Sequence, residues 1–411
     1  MDYSNKKTLN DINVDRQKVI VRVDFNVPIK DGVVVDNKRI MAPLETIRYL
    51  IDRKCKIILL SHLSRIKTLE DMSSNKKSLS PVADELQRLL TRPSIVKFLR
   101  VNRGQEVKDA VNQLGEGNIL LLENTRYNDV NEKGEVVKLE SKCDQTLSKE
   151  WASLADIFVN DAFGTAHRKH ASNVGIAENI QTSCVGFLVQ KELENLSKIT
   201  NNPKRPVIAI LGGAKVSDKL KIIDNLLNIA DKVLICGGMC YTFWKAQGKD
   251  IGSSLLEQDM VNEAKNILVK GQNKIILAND FICAKEFADS PGLLVDIEKG
   301  LNGLMGLDIG NQSIEAFKRA LNNAGTVFWN GPAGVFEFNN YQNGTRAICD
   351  ILKNLTANGC FTLIGGGDSA SAAKALGFHE NDFSFISTGG GASLEFIEGS
   401  SLPGIEAIKN K

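Results

Sequence analysis

Ten short apolar runs, each ending on polar or glycine-rich residues, constrain this chain more than any other feature. In the first half they read as strands at Val19–Val23, Ile57–Leu60, Ile119–Leu122 and Ile157–Val159. In the second half they fall at Val207–Leu211, Val233–Ile235, Ile275–Leu277, Val327–Trp329, Phe361–Ile364 and Phe383–Ile386. Unbroken apolar runs separated by amphipathic stretches mark parallel strands buried on both faces and joined by crossover helices. Helices are predicted at Ser80–Leu90, Lys215–Asn228 and Ser369–Leu376. The strand ends read DFN, SHLSR, ENTR and NDAFGTAHR, then GGAK, GGM, ND, NGP, GGGDS and STGGGAS. Ligands of open α/β sheets bind outside the carboxyl ends of the strands, so both halves present a binding edge. Ordinary βα turns favour Gly, Asn and Asp, but that preference does not put Arg, His and Lys there as well.

The halves differ in residue usage. Twelve of the 15 arginines lie at or before Arg168, whereas 26 of the 34 glycines lie after residue 200. Arginine offers a planar fork matched to phosphate and carboxylate oxygens. Glycine lets the backbone itself approach a ligand. The fold class is therefore α/β: two doubly wound, Rossmann-like parallel-sheet domains, over residues 1–184 and 201–390. An amphipathic helix over 185–200 joins them and ends at the breaker cluster Asn201-Asn202-Pro203-Lys204-Arg205-Pro206.

With 51 basic against 49 acidic side chains the formal charge is only +2, which argues against nucleic acid or an anionic membrane as partner. The opening Met1-Asp2-Tyr3-Ser4-Asn5-Lys6-Lys7 is not a secretory signal, and no apolar run approaches the ~18 residues of a spanning helix. The eight cysteines are scattered and form no C-x-x-C pair, so they read as reduced thiols in a cytoplasmic protein rather than a zinc site.

The first-half strand ends supply Asp24, Asn26, Arg39, His62, Arg65, Arg126, His167, Arg168 and His170. So many cations with few carboxylates suit a small, strongly anionic ligand held by charge-assisted hydrogen bonds. Arg48, Arg53, Arg88 and Arg92 read instead as surface ion pairs. The second-half ends supply Gly212-Gly213-Ala214-Lys215 with Lys219, then Gly237-Gly238, Gly365-Gly366-Gly367-Asp368-Ser369 and Gly389-Gly390-Gly391. Each glycine run is expected to open a helix, where free N–H groups favour phosphate. Lys215 and Lys219 are expected to share one face of that first helix. Asp368 is the candidate ligand for a divalent cation accompanying nucleotide phosphates. No P-loop, G-x-G-x-x-G fingerprint or H-R-D loop is present, so nucleotide binding must use other glycines. A two-domain solute receptor would give no reason for lysines and an aspartate beside glycine runs.

Taken together, RVDFNVP (22–28), FVNDAFGTAHR (158–168), LGGAKVSDK (211–219), WNGPAGVFE (329–337), GGGDSA (365–370) and STGGGASLE (387–395) closely resemble the motifs of phosphoglycerate kinases, in order and along nearly the whole chain. The resemblance implies a hinge-bending cytoplasmic monomer that transfers a phosphoryl group between 1,3-bisphosphoglycerate and ADP, giving 3-phosphoglycerate and ATP with Mg²⁺. It implies a substrate site of Asp24, Phe25, Asn26, Arg39, His62, Arg65, Arg126 and Arg168. The implied nucleotide site is Gly213, Lys215, Lys219, Gly237, Gly306, Asn330, Glu337, Gly366, Gly367, Asp368 and Ser369, with Asp368 as metal ligand. Transition-state support falls to Arg39, Lys215, Gly366 and Gly390, with no general base. The last segment, 391–411, is expected to return to the N-terminal domain. Domain closure is expected once both ligands are bound. Departures from the family pattern are Ser64 and Ile66 where Gly and Pro are usual, Cys236 for Gly, Thr125 and Tyr127 beside Arg126, and Ser369 for Thr.

Overall fold

A computed structural model describes residues 2–93 and 95–411. The chain divides into two compact units, one of residues 2–193 and 401–411, the other of residues 194–400. The division falls inside the helix Phe187–Thr200.

The N-terminal unit is built on six parallel strands: β1 (Lys18–Val23), β2 (Lys56–Leu60), β3 (Val96–Leu99), β4 (Ile119–Leu122), β5 (Ile157–Asp161) and β6 (Thr182–Val185). Their order is β3-β4-β2-β1-β5-β6. The four inner strands match the apolar runs, because a strand covered on both faces favours continuous apolar sequence, with Arg22 in β1 and Asn160-Asp161 at the end of β5 as buried polar exceptions. The two outer strands do not stand out in the sequence. Only Leu99 of β3 is buried, and β6 opens on Thr182-Ser183. An edge strand is covered less and so reads less continuously. Each fully buried Val, Ile or Leu contributes roughly 1.5–3 kcal/mol, which makes the inner strands a rigid base for the loops at their ends.

Residues 401–411 close against this same unit. Leu402 N–H donates to the Tyr3 hydroxyl (2.8 Å), Lys409 N–H to Ser183 Oγ (3.1 Å), and Asn410 bridges to Lys6. This segment begins at Ser401 rather than Gly391, since Gly391–Ile397 is a helix of the other unit with Phe396 and Ile397 buried.

The C-terminal unit has a second six-stranded parallel sheet: β7 (Val207–Leu211), β8 (Lys232–Ile235), β9 (Ile275–Leu277), β13 (Thr326–Asn330), β14 (Phe361–Ile364) and β15 (Phe385–Ile386), in the order β9-β8-β7-β13-β14-β15. It also carries a three-stranded antiparallel sheet of β10 (Asp280–Ala284), β11 (Leu293–Asp296) and β12 (Met305–Ile309), in the order β11-β10-β12, that the sequence does not announce. Only Ala278 and Asn279 separate β9 from β10, so the pair reads as one run. Ser80–Leu90 is a helix as predicted. The helix predicted at Lys215–Asn228 instead begins as a 3₁₀ turn at Ser217–Lys219 and becomes α-helical over Leu220–Ile229. The Glu257 carboxylate accepts from the N–H groups of Val216 and Ser217 and from the Ser217 hydroxyl, which satisfies donors an earlier helix start would leave free. Among the described residues no helix is long and apolar enough to cross a membrane.

Candidate functional site

In the N-terminal unit, the loop after β1 carries Asp24–Asn26, that after β2 His62–Arg65, that after β4 Arg126 and that after β5 His167–His170. Because β1 lies between β2 and β5, these ends converge at the point where strand order reverses. Asp24 accepts from Arg39 (3.0 Å) and lies 3.9 Å from His62 Nδ1. Asn26 Oδ1 accepts from Ser64 N–H (2.9 Å), tying the β1 loop to the β2 loop. Asn124 does the same between β2 and β4: its Oδ1 accepts from the N–H groups of Leu63 and Arg126, and its Nδ2 donates to the carbonyls of Leu63 and Lys77. Arg65 and Arg168 are exposed and Arg126 is buried.

The electrostatics of this cluster are unbalanced. Burial, followed by repulsion from Arg168, lowers the Arg126 pKa below its usual value. Burial, then Arg22, Arg126, His170 and Arg168, pushes His62 well below its normal value, so it is neutral at pH 7. Burial, then Arg22, Arg126, Arg168 and His167, brings His170 to about 3. Four buried polar atoms here make no hydrogen bond: Thr125 Oγ1, Arg126 Nε, His167 Nδ1 and His170 Nδ1. Leaving a buried polar group unpaired costs about 1–3 kcal/mol, so a cluster of them marks a place for a partner. By contrast Arg53, Arg88 and Arg92 pair with Asp15, Glu85 and Asp52 as expected, while Arg48 donates to the Leu89 carbonyl. Phe25 differs from its neighbours. Its ring is fully buried, its N–H donates to Ser61 Oγ and its carbonyl accepts from Val27, so it fixes Asp24 and Asn26 from below.

In the C-terminal unit the glycines fall into two groups. A Cβ at Gly212 would lie 2.2 Å from the Pro332 carbonyl, one at Gly331 2.2 Å from the Gly212 carbonyl, and one at Gly237 2.6 Å from Gly213 N. These three let the ends of β7, β8 and β13 pack backbone against backbone. Gly213, Gly367 and Gly390 would meet nothing. Gly306 belongs with the packing group, because its missing side chain is the space filled by the Tyr241 hydroxyl. Gly366, at φ +91°, caps the helix Gly367–Ala375 beside Asn330 Nδ2.

Lys219 donates to Asn330 Oδ1, and Asn330 Nδ2 donates to the Gly365 carbonyl (2.7 Å), which links three strand ends. Burial lowers the Lys219 pKa, while Asp218, Asp368 and Glu398 oppose that shift. Lys215 lies in the irregular stretch before the 3₁₀ turn, so it and Lys219 do not share a helix face. Lys215, Glu337 and Asp368 are exposed. Ser369 is buried and its hydroxyl accepts from Gly331 N–H (2.7 Å). Asp368 stands alone: among the described residues no group of three or more His, Cys, Asp or Glu could hold a metal. One exposed carboxylate does not make a cation cage. It fits a hard divalent cation that arrives on phosphate oxygens and keeps several waters.

Sequence reasoning passed over Arg22, Ser61, Asn124, Glu140 and Ser172, all fully buried around the N-terminal cluster. Arg22 had a readable signal. It is the one charge within the apolar stretch VIVRV, at a strand whose neighbours bury it on both sides.

The phosphoglycerate kinase family model matches residues 9–400. A phosphoglycerate kinase of Spiroplasma citri is 54% identical, over 99% of this chain and 100% of its own length. One of Mycoplasmoides gallisepticum is 56% identical, over 99% of each. Among solved structures, phosphoglycerate kinase from Coxiella burnetii superposes with a TM-score of 0.86 at 33% identity, covering 98% of both chains.

Proposed function

Because this chain belongs to the phosphoglycerate kinase family, we propose that its N-terminal cluster holds 3-phosphoglycerate or 1,3-bisphosphoglycerate and its C-terminal strand ends hold ADP or ATP. The chain is a phosphotransferase with a carboxyl acceptor, acting reversibly between 1,3-bisphosphoglycerate with ADP and 3-phosphoglycerate with ATP. One observation carries the assignment of sites. Arg126 Nε and His167 Nδ1 are buried without hydrogen-bond partners among five arginines, and His170 Nδ1 has only Glu140 Oε1 at 3.9 Å, an arrangement suited to binding an anion.

In this reading Asp24, Asn26, Arg39, His62, Arg65, Arg126 and Arg168 contact the glycerate, and Phe25 sets the loop. Gly213, Lys215, Lys219, Asn330, Glu337, Gly366, Gly367 and Asp368 contact the nucleotide, while Gly237, Gly306 and Ser369 shape the backbone around it. Mg²⁺, held by Asp368 and the nucleotide phosphates, would neutralise charge on the phosphate oxygens. The acceptor carboxylate is already ionised at neutral pH, so no residue need remove a proton. The low pKa values of His62 and His170 agree with that, since neither is poised as a base near pH 7. What remains is alignment and positive potential. Arg39, Lys215 and the backbone N–H groups at Gly366 and Gly390 supply the potential. Transfer requires atoms of both ligands to meet, so the reading implies a closing motion, detectable as compaction in solution scattering only when both are bound. The reading also takes the chain to be a monomer of the cytoplasm, where the eight free, buried cysteines would stay reduced.

A coupled assay of ATP formation from 1,3-bisphosphoglycerate and ADP tests the activity. Titrations of 3-phosphoglycerate and of ADP, each alone, test the division of sites. Phosphorylation of acetate or aspartate in preference to 3-phosphoglycerate would overturn the substrate assignment.

A further inference from the structure

Behind the anion cluster lies a chain of buried groups that no ligand can reach. Arg22 is fully buried in β1. Its Nε donates to Ser172 Oγ (2.7 Å), one terminal nitrogen donates to the Val23 carbonyl, and the other lies 3.3 Å from His62 Nδ1. Ser172 in turn donates its hydroxyl and its N–H to the two carboxylate oxygens of Glu140, which is also fully buried. Glu140 comes from the segment after β4, Ser172 from the one after β5, and His62 from the end of β2.

A guanidinium has five donors and no acceptor. Whatever nitrogen faces it must present a lone pair. His62 Nδ1 therefore carries no proton toward Arg22, and the ring's single proton sits on Nε2. One competing claim exists, because Asp24 Oδ1 would favour a proton on Nδ1. Distance decides between them: Arg22 is within hydrogen-bond range at 3.3 Å, whereas Asp24 Oδ1 is 3.9 Å away and accepts instead from Asn26 N–H at 3.4 Å. The other charged or titratable neighbours acting on His62 are Arg126, Arg168 and His170, and all of them disfavour a second proton.

We propose that Glu140, Ser172 and Arg22 form a positioning relay that locks His62 as the neutral Nε2–H tautomer, so that it meets the substrate anion as a fixed hydrogen-bond donor. Arg22 and Glu140 touch no substrate; they act through His62. Without the relay the ring would divide between tautomers or take up a proton, and part of the population would present a lone pair to an anion. The proposal rests on the N-terminal cluster being the glycerate site, but its first readout does not.

Nitrogen-15 spectra of imidazole-labelled full-length protein, without ligand, report the tautomer directly. Wild type should show His62 protonated on Nε2 alone, unchanged between pH 8 and pH 5.5. An Nδ1–H tautomer, or an imidazolium at pH 7, would overturn the relay. Ser172→Ala removes the central hydroxyl without altering charge. It should return His62 to mixed tautomers and raise KM for 3-phosphoglycerate about tenfold, with KM for ADP unchanged. His62 signals identical to wild type in folded Ser172→Ala would equally reject the relay. Glu140→Gln should shift the same signals if it folds. If wild-type His62 holds the Nε2–H form but 3-phosphoglycerate leaves its signals unmoved, the relay stands and the assignment of the anion site falls.

Discussion

On the proposed assignment of sites, the two units would hold anions by opposite means. The N-terminal unit gathers charged side chains and leaves buried polar atoms such as Arg126 Nε without partners. At its glycine-rich strand ends the C-terminal unit offers main chain, with Gly213, Gly367 and Gly390 open to space and Lys215 and Lys219 as the cations beside them. The first strategy concentrates titratable and repelling groups in one place; the second carries almost none. The units should therefore respond differently to protons, to loss of a charge and to added side-chain bulk.

Acid is the strongest lever. His62 and His170 are held neutral by burial, His170 down to about 3. In the unfolded chain a histidine takes up a proton near 6.5. Below that pH the unfolded state binds more protons, so each buried histidine withdraws stability, about 2 kcal/mol between pH 6.5 and 5. Buried carboxyls act the other way. Asp161 and Asp308, each raised to about 7 mainly by burial, take up protons when folded over that interval and gain about as much. The N-terminal unit sets His62, His170 and His167, all lowered mainly by burial, against Asp161 and Glu140, both raised by it, whereas the C-terminal unit has the raised carboxyls Asp308 and Glu398. Acidification to pH 5 should thus favour the C-terminal unit over the N-terminal one, by about 2–4 kcal/mol. Hydrogen exchange read peptide by peptide would show this; earlier loss of protection in residues 194–400 would contradict it.

Removing one cation comes next. Arg39→Ala should lower kcat about 10²-fold while KM for ADP stays put, because a transition-state donor is lost from one side only. If the variant raised KM for 3-phosphoglycerate and left kcat intact, Arg39 would be a binding group and not a catalytic one.

Added bulk separates the two kinds of glycine. Gly212→Ala forces a methyl to 2.2 Å from the Pro332 carbonyl and should cost about 2–3 kcal/mol of stability. Gly367→Ala meets nothing and lies in a helix, so its melting temperature should hold or rise slightly. Its cost should appear in KM for the nucleotide. Equal destabilisation by both changes would erase the distinction between packing and ligand-facing glycines.

The same contrast explains what could be read in advance. Inner strands such as Ile119–Leu122 were legible because full burial demands unbroken apolar sequence, and Arg126 and Arg168 were legible because their chemistry is in the side chain. Gly212 and Gly367 look identical in a sequence; only neighbouring backbone tells one from the other. The Lys215–Asn228 helix was misplaced because Glu257, some 40 residues away in the chain, satisfies its would-be first turn. Asn124 and Glu140 were overlooked because a buried polar residue is defined by partners from several strands, which no local pattern encodes.

Ser64 offers the finest discrimination, since it tests whether the N-terminal site depends on side-chain chemistry even where its backbone is strained. The loop holds Ser64 at φ +58°, a left-handed conformation, and anchors it through its own N–H to Asn26 Oδ1 at 2.9 Å. A side chain in that region costs roughly 1–2 kcal/mol, against about 0.5–1 kcal/mol for the extra freedom glycine brings to the unfolded chain. Ser64→Gly should therefore stabilise the N-terminal unit by at most about 1.5 kcal/mol. The anchoring bond uses main-chain N–H and survives the change, so affinity for 3-phosphoglycerate should be unaltered. Calorimetry and a binding titration on the one variant would settle it: a drop in affinity without loss of stability would mean that the Ser64 hydroxyl itself reaches the anion, and that the β2 loop contributes a side-chain contact beyond His62 and Arg65.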